Sequence, residues 1–205
     1  MNIILPRPAG VRLRGRLSSN VRHREDRPPA LSSAVATRVQ LTLFLSGSAA
    51  ERIEAVRRVL DPVQFKLIPA HVTLCREDEL EGLSPALLQQ RLKSSGIGPL
   101  TLGFGFAEEF NTHGVLVPCI SGEEKFRALR EAVLGTSAIR LQQPHITLAH
   151  PRNPKAPGNN PATAIALGSA LKARFVSVCR IQQDGGAPWQ VLQRFPLPAA
   201  EGSDA

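Results

Sequence analysis

Long apolar runs, paired cysteines and aromatic side chains are what this 205-residue chain has little of. No apolar run reaches the roughly 18 residues that a membrane-spanning helix needs, so no span is expected. The opening segment, MNIILPRPAGVRLRGRL, has no apolar stretch of signal-peptide length ahead of its arginines, which argues against export. Cys75, Cys119 and Cys179 are odd in number, far apart and in no Cys-x-x-Cys arrangement. They point to a reducing, cytoplasmic setting and away from disulfides or a structural zinc site. There is no carboxylate cluster and no Gly-rich phosphate loop. Aromatic residues are only 4% of the chain, so few side chains can stack on a base. Phe44, Phe104, Phe106 and Trp189 are the candidates; most belong to a core, and Phe44 and Trp189 are carried forward as groove residues.

The charge is unevenly placed. The net charge is +8, yet residues 1–38 hold eight arginines against Glu25 and Asp26, leaving the remainder near balance at +2. The basic character therefore sits in a leader, residues 1–37, rich in Arg, Pro and Ser and read as disordered. An organellar transit segment or an RNA-touching arm would fit it, but a plain unstructured extension is preferred. Gripping a long phosphate backbone takes a basic stripe, and the domain shows none. RNA ends or small nucleotides suit it better than a duplex.

A domain is expected over 38–198, followed by a tail, 199–205. Residues 39–45 alternate as a strand. Ser48-x-x-Glu51 reads as a capping box for a helix with Ile53, Val56, Val59 and Leu60 inward, ended by Asp61-Pro62. A strand is expected over 65–76. Ser84-Pro85 opens a helix with Leu87, Leu88 and Leu92 inward. Residues 100–110 read as a strand with a bulge near Gly103 and Gly105, paired with 114–120. Ser121-x-x-Glu124 is a second capping box, with Phe126, Leu129 and Val133 behind it and Gly135 at the end. A strand over 139–149, a weak helix over 162–173 and a hairpin over 175–195 complete the chain.

Against that background stand two copies of one motif, His71-Val72-Thr73-Leu74 and His145-Ile146-Thr147-Leu148. On strands, each His and Thr would share one face, and the aliphatic pair would enter a core from the other. Each copy closes a strand, helix, strand unit, and the copies lie 74 residues apart. This describes an internal duplication, with two lobes meeting at the motif strands. A single copy would most simply be a half-buried His at a sheet edge; a doubled one points to a site.

Those motifs, their spacing and the duplicated plan resemble the 2H phosphoesterase superfamily, in particular its bacterial 2′-5′ RNA ligase and RNA 2′,3′-cyclic phosphodiesterase branch, over residues 39–197. The resemblance implies a bilobed α+β fold with antiparallel sheets around a central groove, no metal or other cofactor, and action on cyclic or 2′-linked phosphoesters. It implies His71 and His145 as catalytic histidines and Thr73 and Thr147 as phosphate ligands. Members of the family often carry Arg five residues after the second His. Here His150 occupies that place and Arg152 follows, so either could supply positive charge to the phosphate. A monomer is expected. Independently of the family, opening a cyclic phosphate needs a base and an acid on opposite sides of phosphorus, and imidazoles titrate in the right range for both.

Other readings carry less. Cys75 falls on the expected face of His71 and Thr73 and could line the groove or act as a nucleophile beside a His, but a small half-buried residue is the preferred reading. Zinc held by His71, His145, His150 and Cys75 would leave the threonines without a role. His113 reads as a solvated turn residue and His23 as part of the leader. Residues 76–81 read as a solvated charged loop. A non-catalytic module using the same groove to bind a nucleotide is the competing function, and the two intact His/Thr pairs count against it.

Overall fold

A computed structural model describes residues 36–153 and 171–198. Nearly all of the leader, residues 162–170 of the helix expected over 162–173, most of the Pro/Asn/Gly segment and the tail lie outside the described residues.

The chain opens with β1 (Thr37–Phe44), α1 (Gly47–Leu60), the short α2 (Pro62–Leu67) and β2 (His71–Cys75). Ile53, Val56 and Leu60 are buried as the spacing predicts, but Val59 faces solvent. The Ser48 capping box does not form: α1 starts at Gly47 with Ser46 as N-cap, placing Ser48 inside the helix. The strand expected from residue 65 is a helix for its first part. Asp61 both ends α1 and caps α2, its carboxylate accepting from the Gln64 N–H at 3.0 Å with Pro62 in the first turn. One dipeptide serves as stop and start.

A 3₁₀ turn (Glu77–Glu79) leads to α3 (Pro85–Ser94), whose Ser84 cap bonds the Leu87 N–H as expected. The stretch 100–110 divides into β3 (Leu100–Phe104) and β4 (Glu108–Phe110), because Gly105 turns to donate to the Pro118 carbonyl. Then come β5 (Gly114–Ser121), α4 (Glu123–Leu134) and β6 (His145–Ala149). Gly122, not Ser121, caps α4: its φ is +90°, and an added Cβ would sit 2.5 Å from the Thr101 carbonyl. Only glycine fits there. Residues 139–144, expected in the strand, are irregular. Residues 171–173, expected in a helix, open β7 (Leu171–Phe175), where burial alternates with period two. A hairpin of β8 (Ser177–Asp184) and β9 (Gln190–Pro196) closes the fold.

All strand pairs are antiparallel. One sheet runs β2-β1-β8-β9, the other β4-β5-β3-β7, with β6 on the free side of β5. The duplication is visible in the register. Phe44 faces His71, Leu43 faces Val72 and Thr42 faces Thr73; in the second sheet Pro118 faces His145, Val117 faces Ile146 and Leu116 faces Thr147, each 74 residues further on. In both, the register then skips the motif leucine, Leu74 or Leu148, so that Leu41 faces Cys75 and Val115 faces Ala149. The fold is thus α+β and bilobed, with duplicated halves.

That skip corrects one expectation. Strict alternation would put Cys75 in the groove, but the extra residue turns both Leu74 and Cys75 into the core. Val72, Leu74, Ile146 and Leu148 join a core shared by both lobes, each at most 1% exposed. Burying each contributes roughly 1.5–3 kcal/mol, so the motif strands are anchored from behind.

The lobes also exchange helices. α1 packs on β6 and α4 on β2, while β2 and β6 lie beside each other. Buried polar residues tie these crossings. Arg130 of α4, 1% exposed, donates to the Leu74 carbonyl at 2.8 Å and pairs with Glu79. Asp61, fully buried at the end of α1, accepts from the His150 N–H and the Asn153 side chain, both at 2.9 Å. Gln142 donates to the Thr73 carbonyl at 2.7 Å. Each motif strand is therefore held by elements of the opposite lobe.

Candidate active site

The two motif strands floor a groove of about 670 Å³. His71, Thr73, His145, Thr147, His150 and Arg152 all line it, together with Trp189.

The two histidines are set alike. His71 Nδ1 lies 2.8 Å from the Pro69 carbonyl and His145 Nδ1 lies 3.0 Å from the Gln143 carbonyl. A carbonyl only accepts, so Nδ1 carries the hydrogen in both rings and Nε2 is left for proton exchange. Each ring rests near a phenylalanine: Phe44 meets His71 edge-on with centroids 6.2 Å apart, and Phe110 meets His145 at the same separation. Burial, with smaller contributions from the Arg57 and His145 charges, pushes the His71 imidazole down to about 4. His71 is therefore neutral at physiological pH.

Both threonines are half-buried and line the groove, and neither hydroxyl makes a hydrogen bond among the described residues. By contrast Thr42, one strand behind, is fully buried with its hydroxyl donating to the Val72 carbonyl at 3.0 Å. Two free hydroxyls beside two free imidazole nitrogens can receive an anionic group.

His150 and Arg152 sit on the turn after β6. The Arg152 N–H donates to His150 Nδ1 at 3.1 Å, so a neutral His150 keeps its hydrogen on Nε2. Burial, then the neighbouring Arg152 charge, lowers the His150 pKa. In its neutral form His150 thus offers an Nε2–H, beside the Arg152 guanidinium.

Trp189 lines the groove but Phe44 does not; its ring lies between His71 and the Arg194 guanidinium, 5.8 Å from the ring centre. Phe104 is core and Phe106 is solvent-exposed. His113 is exposed in the β4–β5 turn, and His23 lies outside the described residues. Cys75 is buried, and burial raises its thiol to about 12, which removes it as a nucleophile. No cluster of metal-ligand side chains occurs among the described residues.

The charged loop at 76–81 is more than a solvated face. Glu77 pairs with Arg38, Asp78 with Arg140 and Glu79 with the buried Arg130, while Arg76 lines the groove. Arg38, Gln40 and Phe110 also line it without having been singled out from sequence. Arg38 and Gln40 alternate with the aliphatic Val39 and Leu41 on β1, a pattern that could have pointed to them; Phe110 comes from a short strand with no such signal.

No curated protein matches the sequence. Among solved structures, Escherichia coli LigT complexed with 3′-AMP is similar in fold, at 16% identity and TM-score 0.50, covering 78% of this chain and 98% of that one. LigT complexed with phosphate is 17% identical, at TM-score 0.49, with 78% and 97% covered. No described helix is long and apolar enough to cross a membrane. Residues 45–186, with both motifs and the strands between them, match the family described as the 2′-5′ RNA ligase superfamily, and the chain belongs to that superfamily of 2H phosphoesterases.

Proposed function

We propose that the protein is a phosphodiesterase that opens 2′,3′-cyclic phosphates at RNA ends or on nucleotides, by general acid/base catalysis between His71 and His145. The observation that supports it most is the matched pair: two imidazoles of the same tautomer, on duplicated strands, facing one groove, each with a Thr hydroxyl beside it that makes no hydrogen bond among the described residues.

In this reading the phosphate sits between the motifs. Neutral His71 takes a proton from water at Nε2 as the water oxygen bonds to phosphorus. The bond from phosphorus to one ribose oxygen breaks, and protonated His145 delivers its Nε2 proton to that leaving oxygen. The depressed pKa of His71 fits it to the base half. Thr73, Thr147 and the His150 Nε2–H donate to the non-bridging oxygens, and Arg152 balances their charge. A ribose hydroxyl in place of water would join two strands by the same proton transfers, which is the ligase direction. No step in this scheme calls on a metal.

The test is incubation with cyclic mononucleotides, cyclic-phosphate RNA ends and 2′-5′ oligonucleotides in EDTA, with products separated by chromatography. Opening of a cyclic phosphate in EDTA is expected. Inertness toward all three substrate classes would overturn the proposal.

A further inference from the structure

The duplication reaches into the helices. Ile53, Val56, Arg57 and Leu60 on the buried side of α1 correspond to Phe126, Leu129, Arg130 and Val133 of α4, each 73 residues on. Each helix therefore buries one arginine, Arg57 being 3% and Arg130 1% exposed. Both direct the guanidinium to backbone carbonyls near a motif strand. Arg130 reaches the Leu74 carbonyl and, at 2.7 Å, that of Arg140, five residues before His145. Arg57 reaches closer to its histidine. Its Nη2 donates to the Ile68 carbonyl at 2.9 Å and to the Gln64 carbonyl at 3.2 Å, while Nη1 pairs with Glu54 at 2.8 Å.

Glu54 is used at both oxygens, since the second accepts the Ala70 N–H. The pair thus grips both residues that flank Pro69. The rest of that segment is bonded as well. The Leu67 carbonyl accepts from the Trp189 N–H at 2.9 Å, the Ile68 N–H donates to the Gln64 carbonyl at 3.0 Å, and the Ala70 carbonyl accepts from the Leu45 N–H at 3.0 Å. Pro69 brings a fixed φ and no N–H. Its carbonyl is what remains for His71 Nδ1, 2.8 Å away. The Gln143 carbonyl that meets His145 Nδ1 has no such grip: among the described residues no charged side chain bonds the backbone of residues 142–144. A buried ion pair gains little stability over apolar side chains of the same volume, so this one is better explained by what it holds.

We propose that Arg57, aligned by Glu54, is the positioning residue of His71: it fixes the Pro69 carbonyl, and through it the Nδ1–H tautomer and the aim of the ring, so that Nε2 faces the groove as proton acceptor. The two motifs, alike in sequence, are thereby made unequal, with the base histidine braced by a buried ion pair and the acid histidine not. Burial is the main reason that His71 stays neutral, and the Arg57 charge acts in the same sense. The inference rests on the reading of the two histidines as an acid/base pair.

Arg57→Met tests it, with Glu54→Gln/Arg57→Met as the variant that strands no carboxylate and Arg57→Lys as the one that keeps a cation but not the fork. Nitrogen-15 NMR of the full chain reads the His71 ring, and steady-state kinetics on adenosine 2′,3′-cyclic phosphate read kcat and KM. In the wild type His71 should show one neutral tautomer, Nδ1–H. In the two methionine variants it should show both, with His145 unchanged, and kcat should fall about ten-fold or more while KM changes less than about two-fold. Arg57→Lys should lie between. A merely structural brace would give a lower unfolding midpoint with the wild-type tautomer and kcat, and that result overturns the proposal. If the methionine variants do not fold, Arg57→Lys decides, and a wild-type tautomer and kcat there overturn it. A wild type inert toward the cyclic phosphate means that the parent reading has failed. The tautomer comparison then decides the positioning by itself: both tautomers in the variants support it, and Nδ1–H alone overturns it.

Discussion

Replacing Asp61 with alanine removes one carboxylate that serves three donors in two lobes. Oδ1 accepts from the Gln64 N–H at 3.0 Å and from Asn153 Nδ2 at 2.9 Å, and Oδ2 accepts from the His150 N–H at 2.9 Å. Losing the α2 cap costs about 0.5–2 kcal/mol. The other two are hydrogen bonds to a fully buried carboxylate; leaving the His150 N–H without its acceptor costs about 1–3 kcal/mol, and losing the Asn153 bond adds about 0.5–1.5 kcal/mol. Allowing for relaxation, Asp61→Ala should destabilise by about 3–5 kcal/mol, a large share of a domain's total. Asp61→Asn keeps one acceptor and sets its NH₂ against a donor, so about 1–3 kcal/mol is expected. Urea unfolding followed by tryptophan fluorescence and far-UV dichroism measures both variants. At sub-denaturing conditions kcat/KM should also fall, because the turn that carries His150 and Arg152 loses its tether. A loss below about 1 kcal/mol for the alanine variant, with unchanged slope, would refute the reasoning.

Arg130→Met strands Glu79 and the Leu74 carbonyl in a buried place, and denaturant unfolding should show a loss of about 3–5 kcal/mol. Because burial lowers the His71 pKa from 6.5 to about 4, the folded state holds fewer protons than the unfolded chain between those values. Its contribution is complete above pH 6.5 and is lost as pH falls toward 4, so His71→Asn should flatten the stability profile in that window. Thr73→Val and Thr147→Val should each lower kcat/KM by about 10-fold or more through loss of a bond to a charged phosphate, with unfolding midpoints little changed.

Much of the fold was legible because period-two and period-3.6 patterns report burial directly. The motif aliphatics entered the core, Ser84 capped α3, and Phe126, Leu129 and Val133 faced inward. The misreadings came from features that local pattern does not encode. Asp61 reads as a helix stop, yet its carboxylate also starts α2 and reaches the other lobe. The capping boxes at Ser48 and Ser121 were displaced by Ser46 and Gly122, because the approach to Thr101 decided where α4 could begin. Cys75 left the groove through a one-residue register skip that alternation cannot foresee. In the site, the paired His and Thr were readable from repetition alone. Arg38 and Gln40 gave only the weaker signal of alternation along β1 and Phe110 gave none, since lining the groove depends on which strands the topology brings beside β2 and β6.

The central claim is that His71 and His145 act as one acid/base unit on a phosphoester. Its most direct test is single-turnover hydrolysis of adenosine 2′,3′-cyclic phosphate in EDTA by the wild type, His71→Ala, His145→Ala and the double variant, each checked for native dichroism. Each single variant should lose about 10²–10⁴ in rate. The double variant should be little slower than either, because each histidine is without use once the other is gone. Wild-type rates in either single variant, or losses that multiply in the double variant, would contradict the account.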